Sequence, residues 1–151
     1  WHLFNIVISL MTSTKQKRKN NINHKSSGNI DLKQLFPEID EWPESWAGFE
    51  CDIPVGEVIL KEFKLFLNEQ QSRLAKKTLK DYGNYLWALG GEIIRDRNLK
   101  EIKEKDIRDG FLLNYVDELG GPYWKHATSE KDHDRYDSIC RCFYKYLKNK
   151  K

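Results

Sequence analysis

Along Arg73–Arg95 the apolar side chains Leu79, Tyr82, Leu86, Leu89 and Ile93 recur at steps of three and four. That spacing puts them on one face of an α-helix and predicts a helix from about Lys76 to Arg95. Ser72 or Thr78 could cap its start. Gly83, Gly90 and Gly91 interrupt the pattern, at about 1 kcal/mol each relative to alanine. Glycine is tolerated in a helix where another backbone must come close, so a tight helix crossing is expected near Gly90, with a kink as the competing reading. Ile59, Phe63, Phe66 and Leu67 predict an earlier helix over Gly56–Gln70, just after Pro54. Ile107, Phe111, Leu112, Tyr115, Val116 and Leu119 predict a third over Glu104–Leu119, stopped by Gly120-Gly121-Pro122 with glycine as a left-handed cap. Tyr136, Ile139, Cys140, Phe143 and Leu147 predict a fourth, from the Ser129–Asp134 region to Leu147. No segment alternates with a period of two between turn signals, so no sheet is expected.

The chain before these helices has a different pattern. Met11–Asn29 is mainly Thr, Ser, Lys, Gln and Asn, which reads as a disordered basic arm. In Leu32–Pro54, Pro37, Pro43 and Pro54 forbid a long helix. Yet Leu35, Phe36, Ile39, Trp42, Trp46 and Phe49 are too apolar for a solvated linker. The segment reads as an extended strap with room for a helical turn, its aromatics laid against the helical body; an exposed docking surface is the other reading. The chain thus divides into a basic arm over 1–30, an aromatic and proline-rich strap over 31–55 and a helical domain over 56–148. The predicted fold class is all-α, a compact four-helix bundle.

The 151 residues suit one domain plus tails, large enough to bury a sizeable core. Aromatics at 13% supply that core, and charged residues at 32% solvate the surface. The net charge of +3 says little by itself, but its distribution is uneven. Lys15, Lys17, Arg18, Lys19 and Lys25 stand in a stretch without acids, whereas Asp31–Asp52 is acidic with Lys33 alone opposing; Lys145, Lys148, Lys150 and Lys151 close the chain. Basic patches of this kind can follow a phosphate backbone.

Cys51, Cys140 and Cys142 are an odd set without a regular framework, which argues against a disulfide scaffold and for a reducing, cytoplasmic setting. Cys140 and Cys142, two apart on a predicted helix, point in different directions; the set reads as a small apolar residue and a boundary residue rather than a zinc site with His126 or His133. The apolar run WHLFNIVISL has neither the basic start nor the cleavage site of a secretory signal and is too short to span a bilayer. The expectation is that Met11 is the natural start, that residues 1–10 are translated upstream sequence, and that no membrane is involved.

Phe63-Lys64-Leu65-Phe66-Leu67, followed by Lys77-Thr78-Leu79 opening a helix with Tyr82 and Leu86, resembles the N-terminal core-binding domain of tyrosine recombinases of the phage-integrase type. The closing helix, with Ser138, Arg141, Phe143, Tyr144 and Leu147, is similar to the last helix of that domain. The resemblance covers Glu57–Leu147 and implies a SAM-like helical bundle that clamps one side of duplex DNA, largely through phosphates. Recombinase chemistry needs a tyrosine nucleophile with arginines and a histidine around the phosphoryl transition state. In that family these lie in a separate C-terminal domain, and His133-Asp134-Arg135 lacks the family's His-x-x-Arg spacing, so strand cleavage by this chain is not expected. A second set of words is similar to a group of uncharacterised bacterial proteins: Trp42-Pro43-Glu44-x-Trp46, Asp52-Ile53-Pro54-x-Gly56-Glu57, Leu86-Trp87-x-Leu89-Gly90-Gly91-Glu92 and Gly120-Gly121-Pro122.

The leading functional expectation is a non-enzymatic DNA-binding module without cofactor or metal. Arg73, Lys76, Lys77 and Lys80 cluster at a helix start, where free N–H groups and the helix dipole favour anions. Lys15, Lys17, Arg18 and Lys19 would reach further phosphates from the arm. The alternative is a protein-interaction module of helical-bundle type with Trp42, Trp46 and Trp87 at the interface. A hydrolase or transferase using Glu92 and Arg95 stands third, a helix-surface ion pair being the simpler account of those two.

Overall fold

Three long helices carry the fold, and the aromatic segment before them fills the space they leave. The computed structural model describes residues 30–99 and 110–150. In chain order the elements are α1 (Leu32–Leu35), a 3-10 turn (Ile39–Glu41), α2 (Trp42–Trp46), α3 (Asp52–Gln70), α4 (Lys76–Leu99), a second 3-10 turn (Phe111–Asn114) and α5 (Glu130–Asn149). The fold is all-α: the described residues hold no strand, only an isolated bridge between Asp117 and Gly120. The expected arm over 1–30 lies outside the described residues except for Ile30.

The long helices bury the stripes their sequences announce. Ile59, Phe63, Phe66 and Leu67 of α3, Leu79, Leu86, Leu89 and Ile93 of α4, and Tyr136, Ile139, Cys140 and Phe143 of α5 are all buried. The Ser129 hydroxyl caps α5 by accepting the Asp132 N–H at 3.0 Å. At the start of α4 neither expected cap is used: the Ser72 hydroxyl donates to Glu69 O instead, and Thr78 lies within the helix. The first long helix begins earlier than expected, at Asp52, with Pro54 inside its first turn. Proline is acceptable there because its missing N–H would have had no partner in the helix. The buried Asp52 carboxylate secures this start through one oxygen, accepting from Gly48 N, Phe49 N and Asn98 Nδ2 at 2.9 to 3.0 Å. Asn98 stands near the end of α4, so α3 and α4 run antiparallel.

The helix expected over Glu104–Leu119 is not found in its described part. Residues 104–109 lie outside the described residues; beyond them Phe111–Asn114 makes a single 3-10 turn after Gly110, whose φ of 85° is in the left-handed region. The Asp117 side chain then accepts from Leu119 N at 2.7 Å and Gly120 N at 3.2 Å, a local alternative to helical hydrogen bonding. Phe111, Leu112 and Val116 are still buried, while Leu119 is 83% exposed.

The strap is not extended. Its prolines punctuate short helical pieces: Pro37 follows α1, and Pro43 sits in the first turn of α2. Phe36, Trp42 and Trp46 are buried, and they begin a chain of ring contacts that crosses the molecule. Phe36 meets Trp42 at 5.7 Å, Trp42 meets Trp46 at 6.0 Å, Trp46 meets Phe63 at 5.9 Å, and Phe63 meets Phe143 at 5.2 Å between ring centroids. Phe49, expected to join them, is 63% exposed.

The close approach anticipated near Gly90 exists, but its partner is a side chain and not a backbone. A Cβ at Gly90 would overlap the Trp46 indole, and a Cβ at Gly83 would overlap the Phe36 ring. α4 continues past both positions to Leu99.

One ion network ties the strap to α3. Asp40 receives Lys33 at 2.8 Å and Lys64 at 2.6 Å. The hydrogen bond from Lys33, then that from Lys64, holds the Asp40 carboxyl down at about 2, against 3.8 ordinarily. A depressed carboxylate contributes stability that is fully present above its unfolded value and lost as pH falls through its folded one. The stability difference between wild type and Asp40→Asn should therefore be full at pH 5 and vanish between about 4 and 2. Urea titrations of both proteins across that range would test this, and a difference unchanged down to pH 2 would rule out the network as its source. The groups are exposed, so the effect should be small and should fall with added salt.

Candidate nucleic-acid interface

The α3–α4 turn presents the cations singled out by sequence. Gln71 fixes its position: the side chain accepts from Ile30 N at 2.9 Å and donates to Ile30 O at 2.8 Å. Leu74 packs against the core, which leaves Arg73 outward on the turn. Lys76, Lys77 and Lys80 follow on the first turns of α4, all exposed, while Leu79 between them is buried. None of these lysines makes an ion pair among the described residues. The bond from Leu79 N to Ala75 O opens the helical ladder, so the N–H groups of Lys76, Lys77 and Thr78 precede it and favour anions at this end. Lys15, Lys17, Arg18 and Lys19 lie outside the described residues.

Beside this cluster, α4 meets α5 through two tyrosines. The Tyr82 hydroxyl stands 3.8 Å from Cys142 Sγ. Burial pushes its phenol above the ordinary value, the contact with Cys142 adds to this, and the Arg73 guanidinium opposes it. Tyr85 donates to Asp132 at 2.8 Å; burial, and next the bond to Asp132, push its phenol up to about 12, with Arg135 opposing. Arg135 is therefore a cation of this surface that the sequence reading passed over. Its place just off the buried α5 stripe was legible, but not that this flank of α5 faces α4.

The other residues considered for function are engaged elsewhere. Trp42 and Trp46 are 8% and 7% exposed. The Trp46 indole N–H donates to Trp87 O at 2.8 Å, and the half-buried Trp87 returns its own to Ser45 Oγ at 3.0 Å. Trp42 and Trp46 are thus spent in the core, while Trp87 keeps part of its surface open. Glu92 and Arg95 do pair, at 2.6 Å, but Glu92 is buried and not on the helix surface. Cys140 is buried under Gly121, and burial pushes its thiol well above the ordinary value. Cys142 is half-buried, beside the buried face of α5, and Cys51 is exposed. His133 contacts Asp137 through Nδ1 at 3.0 Å and accepts Trp124 N at 3.3 Å through Nε2, which orders the loop before α5. Among the described residues no three His, Cys, Asp or Glu side chains converge to hold a metal ion.

Comparison with known proteins yields no matching family model, curated protein or solved structure. The likeness to recombinase core-binding domains accordingly rests on its sequence motif alone. No helix among the described residues is long and apolar enough to cross a membrane.

Proposed function

We propose that this chain is a non-enzymatic module that binds duplex DNA through its phosphate backbone, a relative of a recombinase core-binding domain working in the cytoplasm. The observation that carries this reading is the cluster of Lys76, Lys77 and Lys80 at the start of α4, exposed and without ion pairs among the described residues. Among the described residues no carboxylate pairs with these lysines, so a polyanion would meet them at little cost. The non-enzymatic part draws support from Glu92 and Cys140, whose reactive atoms are buried in the helical core. A protein-interaction module is the alternative, and the exposed Leu119 and Tyr123 favour it.

Charge reversal at Lys76, Lys77 and Lys80 should abolish a mobility shift with duplex DNA while leaving the melting temperature within about 2 °C of wild type, since exposed substitutions typically stay within ±0.5 kcal/mol. Wild-type binding should also fall steeply with salt as phosphate contacts release counterions. A triple variant that shifts DNA as wild type does would remove the residues on which the reading depends. A wild-type chain that shifts no duplex at low salt would leave the interaction module.

A further inference from the structure

α5 supplies a second basic row beside the first. Arg135, Ser138, Cys142 and Lys145 recur at steps of three and four, so they share one side of that helix. Arg135, Ser138 and Lys145 are exposed, and neither cation makes an ion pair among the described residues. The seam contacts fix where this row lies. Tyr82 reaches Cys142 and Tyr85 reaches Asp132, which also accepts from Thr128 N at 3.1 Å and its hydroxyl at 3.2 Å. The charge of Arg73 acts on the Tyr82 hydroxyl and that of Arg135 on the Tyr85 hydroxyl, and Arg135 stands one turn beyond Asp132 on α5. These tyrosines are one turn apart on α4, so they join the cations of the α4 start to those of α5 across a strip of hydroxyl groups.

The chemistry of the strip narrows what it takes. Binding of single strands relies on aromatic faces open to stacking bases. Here Tyr82 stacks on Phe66 at 6.2 Å, and Tyr85 stands edge-on to Trp124 at 5.8 Å, so both rings are committed to protein packing. A membrane surface would call for apolar side chains to insert. The exposed large apolar residues, Phe49, Val58, Leu65, Leu99, Leu113, Leu119 and Tyr123, lie neither on the first half of α4 nor on α5. What remains is guanidinium, ammonium and hydroxyl groups, with the Asp132 carboxylate already taken up by Tyr85 and Thr128; the cations and hydroxyls bond to phosphate oxygens and position a duplex without reading its bases.

We propose that the α4–α5 seam is one phosphate-contacting surface, in which Arg135 and Lys145 join Arg73, Lys76, Lys77 and Lys80, and that it takes the backbone of duplex DNA regardless of base sequence. This rests on the DNA-binding reading above and extends it to a second helix and to a mode of recognition.

Fluorescence anisotropy of the full chain tests it, with labelled duplexes of two unrelated sequences and a single strand of equal length over a range of salt. Arg135→Gln with Lys145→Gln should weaken duplex binding about tenfold at low salt and lower the slope of log K against log salt by about 2, the loss of two phosphate contacts. Both duplexes should bind alike and the single strand more weakly, and circular dichroism should show the variant melting with wild type. If that variant binds as wild type while Lys76→Gln, Lys77→Gln and Lys80→Gln together weaken binding, the seam is overturned and the DNA reading stands. Preference for the single strand or for one duplex overturns the backbone assignment. If wild type binds no duplex at low salt, the DNA reading and this extension fall together.

Discussion

Alanine at Gly90 should destabilise the fold by about 2–3 kcal/mol, within the range for overfilling a packed core. In an ordinary helix interior the same change gains about 1 kcal/mol, because glycine has more backbone freedom to lose on folding. The expected sign is reversed because the new methyl group would enter the space of the Trp46 indole. That indole cannot swing aside freely: it is packed against Trp42 and Phe63, and its N–H is bonded to Trp87 O at 2.8 Å. Urea denaturation of Gly90→Ala and wild type measures the difference. The loss should shrink or reverse in a Trp46→Leu background, where the indole is gone, since contacting sites are not additive. A Gly90→Ala protein more stable than wild type would mean that the indole does not occupy this notch in solution.

The largest effect is expected from Trp42→Ala combined with Trp46→Ala. Truncating one buried tryptophan typically costs about 3–5 kcal/mol. The rings touch, so the pair will not add strictly, but a loss of about 6 kcal/mol or more is expected for the double variant. That rivals the whole stability of a typical domain, about 5–15 kcal/mol. The double variant should therefore be substantially unfolded at room temperature, with lost helical circular dichroism and a broad or missing melting transition. Trp46→Phe should be much milder, keeping a ring in the notch and losing the bond to Trp87 O. A double variant melting as wild type does would show that the strap is not part of the folded core.

These expectations bear on function through a division of labour among the aromatics. The tryptophans of the strap and the ring chain from Phe36 to Phe143 are consumed in holding three long helices together. The seam tyrosines are also built into the core by their rings, with their hydroxyls directed to Cys142 and Asp132. The proposed surface is thus defined by charge and hydroxyl groups over a rigid base, an arrangement suited to contact with a regular phosphate backbone.

The sequence by itself determined the three long helices and their buried faces. Leu79, Leu86, Leu89 and Ile93 on α4, and Tyr136, Ile139 and Phe143 on α5, were legible because a period of 3.6 residues is a local property that survives any packing arrangement. The exposure of Lys76, Lys77 and Lys80 followed from the same periodicity. Tertiary structure decided the rest. Asp117 and Gly110 replaced an expected helix around Phe111–Leu119 by short turns, because the apolar spacing there did not reveal the competing local hydrogen bonds. Gly90 announced a close approach without naming the partner, and the rings that fill the notches at Gly90 and Gly83, those of Trp46 and Phe36, came from residues more than forty positions earlier. Arg135 became a neighbour of Tyr85 only through the packing of α5 on α4. Periodicity says which face of a helix is buried; which other helix lies beside each flank depends on how side chains distant in sequence fill a common core.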